Sequence, residues 1–464
     1  MILSFGSIIG GLCTFGRNII ITRLISVEDY GIAATFSITM TLIQMSTGLG
    51  VDRLIVQATD GNDPRLQATA HAFNILRGIV LALILYVVAS PVANLFDLPE
   101  IVWAFQWLAV LPLISGFVHM DSARFQRNMR FAPLVLIDNV SQIIVLICAI
   151  PLALYLKDYR VMLWVITIQA VCTVILSYIF AERRFSVAFD KVYLRRIFSF
   201  GWPLMLNGLL MFGIFQADRS IVGIAYSMED LGWFSAAFML TLFPTMVLMS
   251  ASQNLLTPMI AKYQQDPQEL SNSAVVTTKA FLTIGVLIIT GLGLAGPALS
   301  VVLFGEKYHE GAHFIPWLAL MQGIRMVKAG PTTIAIAWGK TKQPMYTNLI
   351  RSIALPLSLL AVWYNWGVTG IILSGVLGEL MATIFFIYLI RKSVGMSVSS
   401  LSVMLVVSIG LVVGALLLSM QFAKGTNPVF EIGIGIAYSL MALVICLFLS
   451  KDLIRWAKQA SVHR

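Results

Sequence analysis

The sequence predicts an all-α polytopic membrane protein that crosses the bilayer about fourteen times, since each crossing takes about 20 apolar residues. Hydrophobic residues make up 58% of the 464 residues and charged residues only 11%, whereas a soluble domain carries about 25% charged residues. The apolar residues also form long runs separated by short polar turns. Lipid is therefore the expected solvent, and no loop is long enough for a separate soluble domain.

Fourteen apolar segments are long enough to span the hydrocarbon core as helices. They lie at residues 2–25, 30–56, 71–96, 101–120, 131–156, 161–180, 199–226, 231–255, 279–304, 313–338, 345–365, 367–390, 400–420 and 429–449. No cleavable signal peptide is expected, because Met1 opens directly onto an apolar run without a basic segment. Either the first helix is the targeting signal, or the true start lies upstream. The four cysteines fall in apolar runs without paired spacing, which is typical of small core residues.

Basic residues in the loops predict the orientation, because cytoplasmic loops retain Lys and Arg. With the amino terminus inside, the inner segments hold 19 basic residues and the outer loops hold 4. We therefore expect both termini in the cytoplasm.

Two turns with matching sequences indicate an internal repeat. Residues 26–31 are SVEDYG and residues 227–232 are SMEDLG. Both turns join an outward-going helix to an inward-going one, so the two halves are expected to have the same orientation in the membrane. Parallel repeats of this kind form two lobes with a substrate site between them.

The repeat divides the chain into expected domains. They are a six-helix N-lobe at 1–180, a basic cytoplasmic linker at 181–198, a six-helix C-lobe at 199–390, and helices thirteen and fourteen with a cytoplasmic tail at 391–464. Phe185, Phe189 and Val192 indicate that the linker lies along the membrane interface.

Charged residues inside the predicted spans are candidates for an aqueous cavity, because each costs about 2.5–3.5 kcal/mol at mid-bilayer. Eight are basic and four are acidic: Arg17, Arg23, Arg53, Arg77, Arg219, Arg325, Lys328 and Arg351, with Asp52, Asp138, Asp218 and Glu379. Those near helix ends are interpreted as anchors that extend to the interface: Arg23, Arg53, Arg77 and Arg351. The deeper groups are interpreted either as a cavity lining or as buried structural pairs.

Arg325 and Lys328 are three residues apart, so they share a face of the tenth helix, which Gln322 extends. Gly330-Pro331 is expected to interrupt this helix a turn later, as at many transporter sites. The excess of basic groups predicts a cationic cavity for an anionic substrate, and Arg suits phosphate. The predicted substrate-binding residues are Arg325, Lys328, Arg219, Arg17 and Gln322. The predicted ion-pair or coupling residues are Asp218, Glu379, Asp52 and Arg53.

Four segments together resemble the polysaccharide transporter (Wzx-like lipid-linked oligosaccharide flippase) family, within the superfamily that includes multidrug exporters. They are TRLISVEDYG at 22–31, RFQRNMRF at 124–131, FGWP at 200–203 and LFGEKY at 303–308, in family-like order. The resemblance implies two six-helix bundles that flip oligosaccharides linked to undecaprenyl pyrophosphate across the inner membrane, without enzymatic activity or a cofactor. It makes a polysaccharide polymerase and chain-length proteins candidate partners, and no nucleic acid is expected.

A zinc motif provides a remote alternative. His309-Glu310-Gly311-Ala312-His313 matches the H-E-x-x-H pattern of a metalloprotease. The segment contains a glycine, lies in an outer loop and has no evident third ligand, so no metal is expected.

The remaining alternatives differ in reaction or in substrate charge. ATP is disfavoured as a direct energy source, because Ile334 stands where a Walker motif ending at Thr341 needs glycine. A membrane polysaccharide polymerase or ligase would need a long external loop, and the outer loops here are short. A drug or metabolite exporter of the same superfamily is the nearer alternative, and the charge of its substrate distinguishes it from a flippase.

Overall fold

The computed structural model describes residues 2–340, 342–397, 399–422 and 427–452, without the side chains of residues 2–5 and 422. Its long elements are helices: α1 (Ile2–Leu24), α2 (Val27–Thr47), α3 (Val51–Gln57), α4 (Pro64–Leu95), α5 (Val102–Trp107), α6 (Val110–Gly116), α7 (Asp121–Arg127), α8 (Ala132–Leu156), α9 (Arg160–Ile179), α10 (Lys191–Ala225), α11 (Met228–Ala261), α12 (Pro267–Phe304), α13 (Ile315–Ala337), α14 (Lys342–Arg351), α15 (Ala354–Trp363), α16 (Gly367–Val394), α17 (Ser399–Phe422) and α18 (Pro428–Leu449). Most of the predicted cytoplasmic tail, from residue 453, lies outside the described residues.

The described residues contain eleven helical segments that are long and apolar enough to cross a membrane, or twelve if the bent pair α2–α3 is one span. The predicted all-α polytopic membrane protein is therefore confirmed, while the number fourteen stays a prediction. The two other long helices, α1 and α13, are not among the apolar spans. Helix α13 carries Arg325 and Lys328, which lower its mean hydropathy.

One predicted helix break is wrong, and a break occurs elsewhere. Helix α13 continues through Pro331 as far as Ala337. Proline is tolerated in membrane helices when neighbouring helices pack closely, and Gly330 of α13 packs against the backbone of Thr278 on α12. The second span is the one that bends, by 43° between α2 and α3. Gly50 lies at the bend with φ +60°, a conformation that glycine adopts without steric cost.

The contacts divide the chain into two compact units, Met1–Gly232 and Trp233–Arg464. In the first unit, α1 packs along α8, α8 along α9, α4 against α6, and α10 along α2. In the second unit, α13 packs between α12 and α16, while α17 and α18 both pack on α12. The lobe boundaries drawn from the repeat remain a prediction.

The two matching turns have the same local structure. The amide of Asp29 donates to the Ser26 hydroxyl at 3.0 Å, and the amide of Asp230 donates to the Ser227 hydroxyl at 3.1 Å. Each serine satisfies an amide that the first helical turn would otherwise leave unpaired. The shared S-x-x-D sequence therefore produces the same helix cap twice.

The turns also contact each other reciprocally, within the first unit. A Cβ atom added to Gly31 would lie 1.8 Å from the Met228 carbonyl oxygen, and one added to Gly232 would lie 2.2 Å from that of Val27. Val27 and Met228 are equivalent positions of the repeat, as are Gly31 and Gly232. Such exchange of equivalent contacts is what a two-fold relation produces. Only glycine permits this approach from both sides.

A buried carboxylate attaches the linker to the first unit. Asp121 is fully buried, and it accepts hydrogen bonds from the amides of Glu182 at 2.8 Å and Arg183 at 2.9 Å. Its other donors are Arg124 Nε and Gln67 Nε2, both at 2.8 Å. Burial alone would raise the pKa of Asp121, but the hydrogen bonds from these four donors outweigh it and hold that pKa well below its usual range.

Candidate anion-binding site

A cluster of four buried charged side chains lies in the second unit, around Glu379 of α16. The Oε1 atom of Glu379 lies 2.7 Å from Arg325 Nε and 2.8 Å from Arg351 Nε. Its Oε2 atom accepts from Lys328 Nζ at 2.6 Å. Glu379 has no exposed surface, and the three basic residues are at most 8% exposed. One carboxylate therefore contacts three cations away from solvent.

Three helices bring these groups together. Gln322, Arg325 and Lys328 follow one another on α13 at spacings of three residues, so they form one inclined row. Arg351 is the last residue of α14. Helix α16 can approach the end of α14 closely because residue 378 is glycine: a Cβ there would lie 2.9 Å from the Arg351 carbonyl oxygen. Glu379, the next residue, consequently reaches both helices.

The cluster carries two positive charges in excess, since three cations share one carboxylate. Uncompensated charge in a membrane interior is costly, so an additional anion would be stabilised there. A buried donor lies beside the cations as well. Gln322 accepts from Arg325 Nη1 at 2.9 Å through its oxygen, while its Nε2 atom is buried without a hydrogen-bond partner among the described residues. The three basic groups and Gln322 can therefore donate to an anion with several oxygen atoms.

The first unit contains a second set of basic groups, one buried and one half-buried, with different partners. Arg17 of α1 is 8% exposed, and its Nη1 atom donates to Gln169 Oε1 of α9 at 3.2 Å. Arg219 of α10 donates to Gln216 Oε1 at 3.3 Å. The hydroxyl of Tyr30 lies close enough to both guanidinium groups to interact with their charges. Arg17 and Arg219 therefore both lie near Tyr30, and each donates a hydrogen bond to a neutral amide.

Asp52 and Arg53 line a separate cavity of about 530 Å³ in the first unit, at the bend between α2 and α3. Arg77 and Asn74 of α4 and Asn207 of α10 also line it. Arg77 Nη1 donates to the carbonyl oxygen of Thr47 at 3.4 Å, where α2 ends. The lining combines one carboxylate, two guanidinium groups and several neutral polar groups. Asp218, the other predicted coupling residue, is partly exposed on α10 beside Arg219.

The zinc pattern does not form the site that its motif requires. A metalloprotease places its two histidines on one face of an α-helix, but residues 306–308 and 310–314 form two short 3₁₀ helices. The His313 Nδ1 atom contacts the carbonyl oxygen of Glu310. Within the described ranges, no group of three or more His, Cys, Asp or Glu residues is arranged to hold a metal ion. The metalloprotease alternative is therefore not supported.

The structure gathers the predicted site residues into three places. Arg325, Lys328, Gln322 and Glu379 come together in the second unit, Arg17 and Arg219 come together in the first, and Asp52 and Arg53 line the bend cavity. Sequence analysis missed Arg351 as a member of the Glu379 cluster, because its position near a helix end favoured an anchoring role. The neighbouring Gly378 was the one signal of a close helix approach at this point.

The sequence of this chain matches a known protein family. Residues 20–313 match the family described as polysaccharide biosynthesis protein, which is more than half of the chain. The chain belongs to this family. It is 24% identical over 396 residues to the succinoglycan biosynthesis transport protein ExoT of Rhizobium meliloti (strain 1021), covering 78% of each chain. It is also 24% identical over 313 residues to the amylovoran biosynthesis protein AmsL of Erwinia amylovora, covering 64% of this chain and 77% of that protein.

Solved structures show the same fold at low sequence identity. The lipid II flippase MurJ in its inward-closed conformation has a TM-score of 0.75 at 13% identity, over 98% of this chain and 100% of that chain. An inward-facing multidrug resistance transporter of the MATE family has a TM-score of 0.68 at 14% identity, over 83% of this chain and 94% of that chain. The resemblance drawn from sequence motifs is thereby confirmed. The fold is that of multi-pass membrane transporters, and the family is one of polysaccharide biosynthesis.

Proposed function

We propose that this protein flips undecaprenyl-pyrophosphate-linked oligosaccharide repeat units across the inner membrane, for the synthesis of exopolysaccharide, capsule or O-antigen. Membership of the polysaccharide biosynthesis family supports a role in the synthesis of polysaccharide. The similarity to a succinoglycan biosynthesis transport protein supports transport as the activity. The fold shared with a lipid II flippase supports a lipid-linked cargo.

The observation that carries the proposal is the buried excess of positive charge around Glu379. A pyrophosphate group supplies several negatively charged oxygens, and guanidinium groups bind such oxygens in pairs. In this proposal Arg325, Lys328 and Gln322 receive the pyrophosphate. Glu379 keeps the positive charges of Arg325, Lys328 and Arg351 together while no cargo is bound.

The first unit supplies further contacts in the same mechanism. Arg17 and Arg219 bind the anionic part of the cargo at another stage of its movement, through guanidinium groups that suit phosphate oxygens. Asp218, Asp52 and Arg53 form pairs or take part in ion coupling. The cargo moves as the protein alternates between inward-open and outward-open states.

The proposed architecture is a duplicated six-helix unit plus two helices, fourteen spans in all, with both termini in the cytoplasm. The identical caps and reciprocal glycine contacts of the two turns support the duplication. The 19 basic residues in inner segments against 4 in outer loops support the orientation.

The test is the double variant Arg325→Ala/Lys328→Ala in cells that depend on this protein for polysaccharide export. We expect export to fall at least about a hundredfold, because two charge-assisted contacts of about 1.5–3 kcal/mol each are lost. Membrane insertion should persist, since Glu379 keeps Arg351 at 2.8 Å. The matched control is Arg184→Ala/Lys191→Ala, which removes two exposed basic residues from the linker and its junction with α10. Normal export by the Arg325/Lys328 variant would refute the assignment.

The alternative function, a drug or metabolite exporter, leads to a different expected result in cells that lack this protein. Loss of a flippase leaves the sensitivity to small toxic compounds unchanged and stops polysaccharide export. Loss of an exporter increases that sensitivity and leaves polysaccharide export unchanged.

A further inference from the structure

A groove of about 570 Å³ lies in the first unit, outside the three places described above. It runs between α3 and the first turns of α10, and it is lined by Leu54, Gln57, Val192, Arg195, Ser199 and Phe200, among others. Its walls therefore combine apolar side chains with a guanidinium, a hydroxyl and an amide group.

The charged end of the groove contains one arginine in an ion pair and one exposed arginine. Arg196 donates to both carboxylate oxygens of Asp60, at 2.7 and 2.8 Å. The neighbouring Arg195 is exposed, and it has no ion pair with another described residue. Ser199 lies one turn further on the same face of α10. The groove thus presents one arginine whose charge is not compensated by a carboxylate of the described part of the chain.

The apolar end of the groove lies next to side chains suited to lipid. Phe198 and Trp202, which follow Arg195 on α10, are each 55% exposed. Tryptophan is typical of the boundary between hydrocarbon and headgroups. Arg195 lies two turns before Trp202, towards the end of α10 that the charge asymmetry places in the cytoplasm. The groove consequently spans the level at which a lipid headgroup meets its chains.

We propose that this groove binds the phosphate group of a membrane lipid, with Arg195 and Ser199 on the phosphate and Leu54 and Phe200 along the first part of the chain. Arginine matches the geometry of phosphate oxygens, and the apolar walls distinguish a lipid from a free ion. The lipid is either a resident anionic phospholipid or the polyprenyl carrier of the cargo. Only the second source depends on the proposed function.

The binding test uses native mass spectrometry of the purified full-length protein titrated with dioleoyl phosphatidylglycerol. We expect Arg195→Ala to weaken binding about tenfold, the loss of one charge-assisted contact. Arg184→Ala is the matched control, because Arg184 is also an exposed arginine of the linker but lies outside the groove, and it should leave binding unchanged. Equal weakening by both variants would overturn the proposal, since it would indicate general surface attraction. Val192→Glu provides a second variant that should weaken binding by placing a carboxylate in the groove.

Competition experiments identify the source of the phosphate. Displacement of phosphatidylglycerol by undecaprenyl phosphate would support the groove as a site for the cargo's carrier. Failure of undecaprenyl phosphate to compete would support a resident phospholipid, with the site itself retained. Displacement by inorganic phosphate at the same concentration would overturn the proposal, because the apolar walls would then contribute nothing. None of these results depends on transport, so they are independent of the export test.

Discussion

The two units hold their buried arginines in different ways. In the second unit, Arg325 and Arg351 contact the carboxylate of Glu379 at 2.7 and 2.8 Å. In the first unit, Arg17 contacts the neutral amide of Gln169 at 3.2 Å, and its Nε atom has no hydrogen-bond partner among the described residues. The exposed fractions of Arg17 and Arg325 are similar, 8% and 5%. The chemical nature of the partner, rather than burial, separates the two sites.

Because of this difference, mutations at the two sites should have different effects, although their arginines are buried to a similar extent. A carboxylate compensates the charge of its cations, and its loss leaves them buried and uncompensated. An amide satisfies a hydrogen bond and leaves the charge in place. We therefore expect the Glu379 cluster to contribute to folding as well as transport, and Arg17 to contribute mainly to transport.

The largest effect is expected for Glu379→Ala. Removing the shared carboxylate leaves three buried cations, and breaking a buried ion pair costs about 3–5 kcal/mol. The thermal unfolding of the purified protein should occur at a markedly lower temperature, and its level in membranes should fall.

Two further variants sharpen the Glu379 result. Glu269→Ala removes an exposed carboxylate near the start of α12, and it should change the free energy of unfolding by less than about 0.5 kcal/mol. Combining Glu379→Ala with Lys328→Ala should recover part of the lost stability, because one uncompensated cation is removed. If the Glu379→Ala and Glu269→Ala variants had the same free energy of unfolding, the proposed difference between the two units would be wrong.

A smaller effect is expected for Asp121→Asn, which tests whether a buried carboxylate has the same importance in the first unit. The side chain keeps its size but loses the charge that Arg124 and two amides bind. We expect a loss of about 1–3 kcal/mol in the free energy of unfolding. Limited proteolysis of the linker at 181–198 should also become faster.

The pH dependence of this loss has a definite sign. The pKa of Asp121 is lowered in the folded protein, so its stabilising contribution is complete above the unfolded value of about 3.9. It is lost as the pH falls below that value towards the folded pKa. The difference between wild type and Asp121→Asn should therefore be constant above about pH 5 and shrink in acid. A difference that grew on acidification would contradict this account.

The smallest effect on stability is expected for Arg17→Ala. Its removal eliminates a desolvated charge that has no ion pair with a described carboxylate, so the free energy of unfolding should stay within about 1 kcal/mol of wild type. Export should nevertheless fall about 10- to 100-fold, through loss of a charge-assisted contact with the cargo. Arg17→Lys should retain part of the activity, and the exposed Arg65→Ala serves as the control. Severe unfolding of Arg17→Ala would place Arg17 with the structural cations of the second unit.

The sequence was sufficient for the membrane class and for part of the cationic cluster. Apolar runs predicted the helices, and the spacing of Gln322, Arg325 and Lys328 placed them in one row. The partner of that row could not be identified from spacing, because Glu379 lies 54 residues from Arg325. Arg351 joins the cluster only through the close packing of α14 against Gly378.

Helix breaks were harder to predict than helices. Gly330-Pro331 is the stronger helix-breaking sequence, yet α13 continues through it under close packing by α12. The pair Gly48 and Gly50 separates α2 from α3, where Gly50 takes a positive φ. Contacts between distant polar residues, such as Arg17 and Gln169, also depend on tertiary packing that local sequence does not encode.

The most direct test of the proposed function is a lipid extract from cells that lack this protein, analysed for undecaprenyl-pyrophosphate-linked oligosaccharide. We expect complete repeat units to accumulate and surface polysaccharide to be lost. The wild-type gene should reverse both changes, while Arg17→Ala should reverse neither fully. Unchanged lipid-linked oligosaccharide together with new sensitivity to a small toxic compound would contradict it, and would indicate an exporter instead.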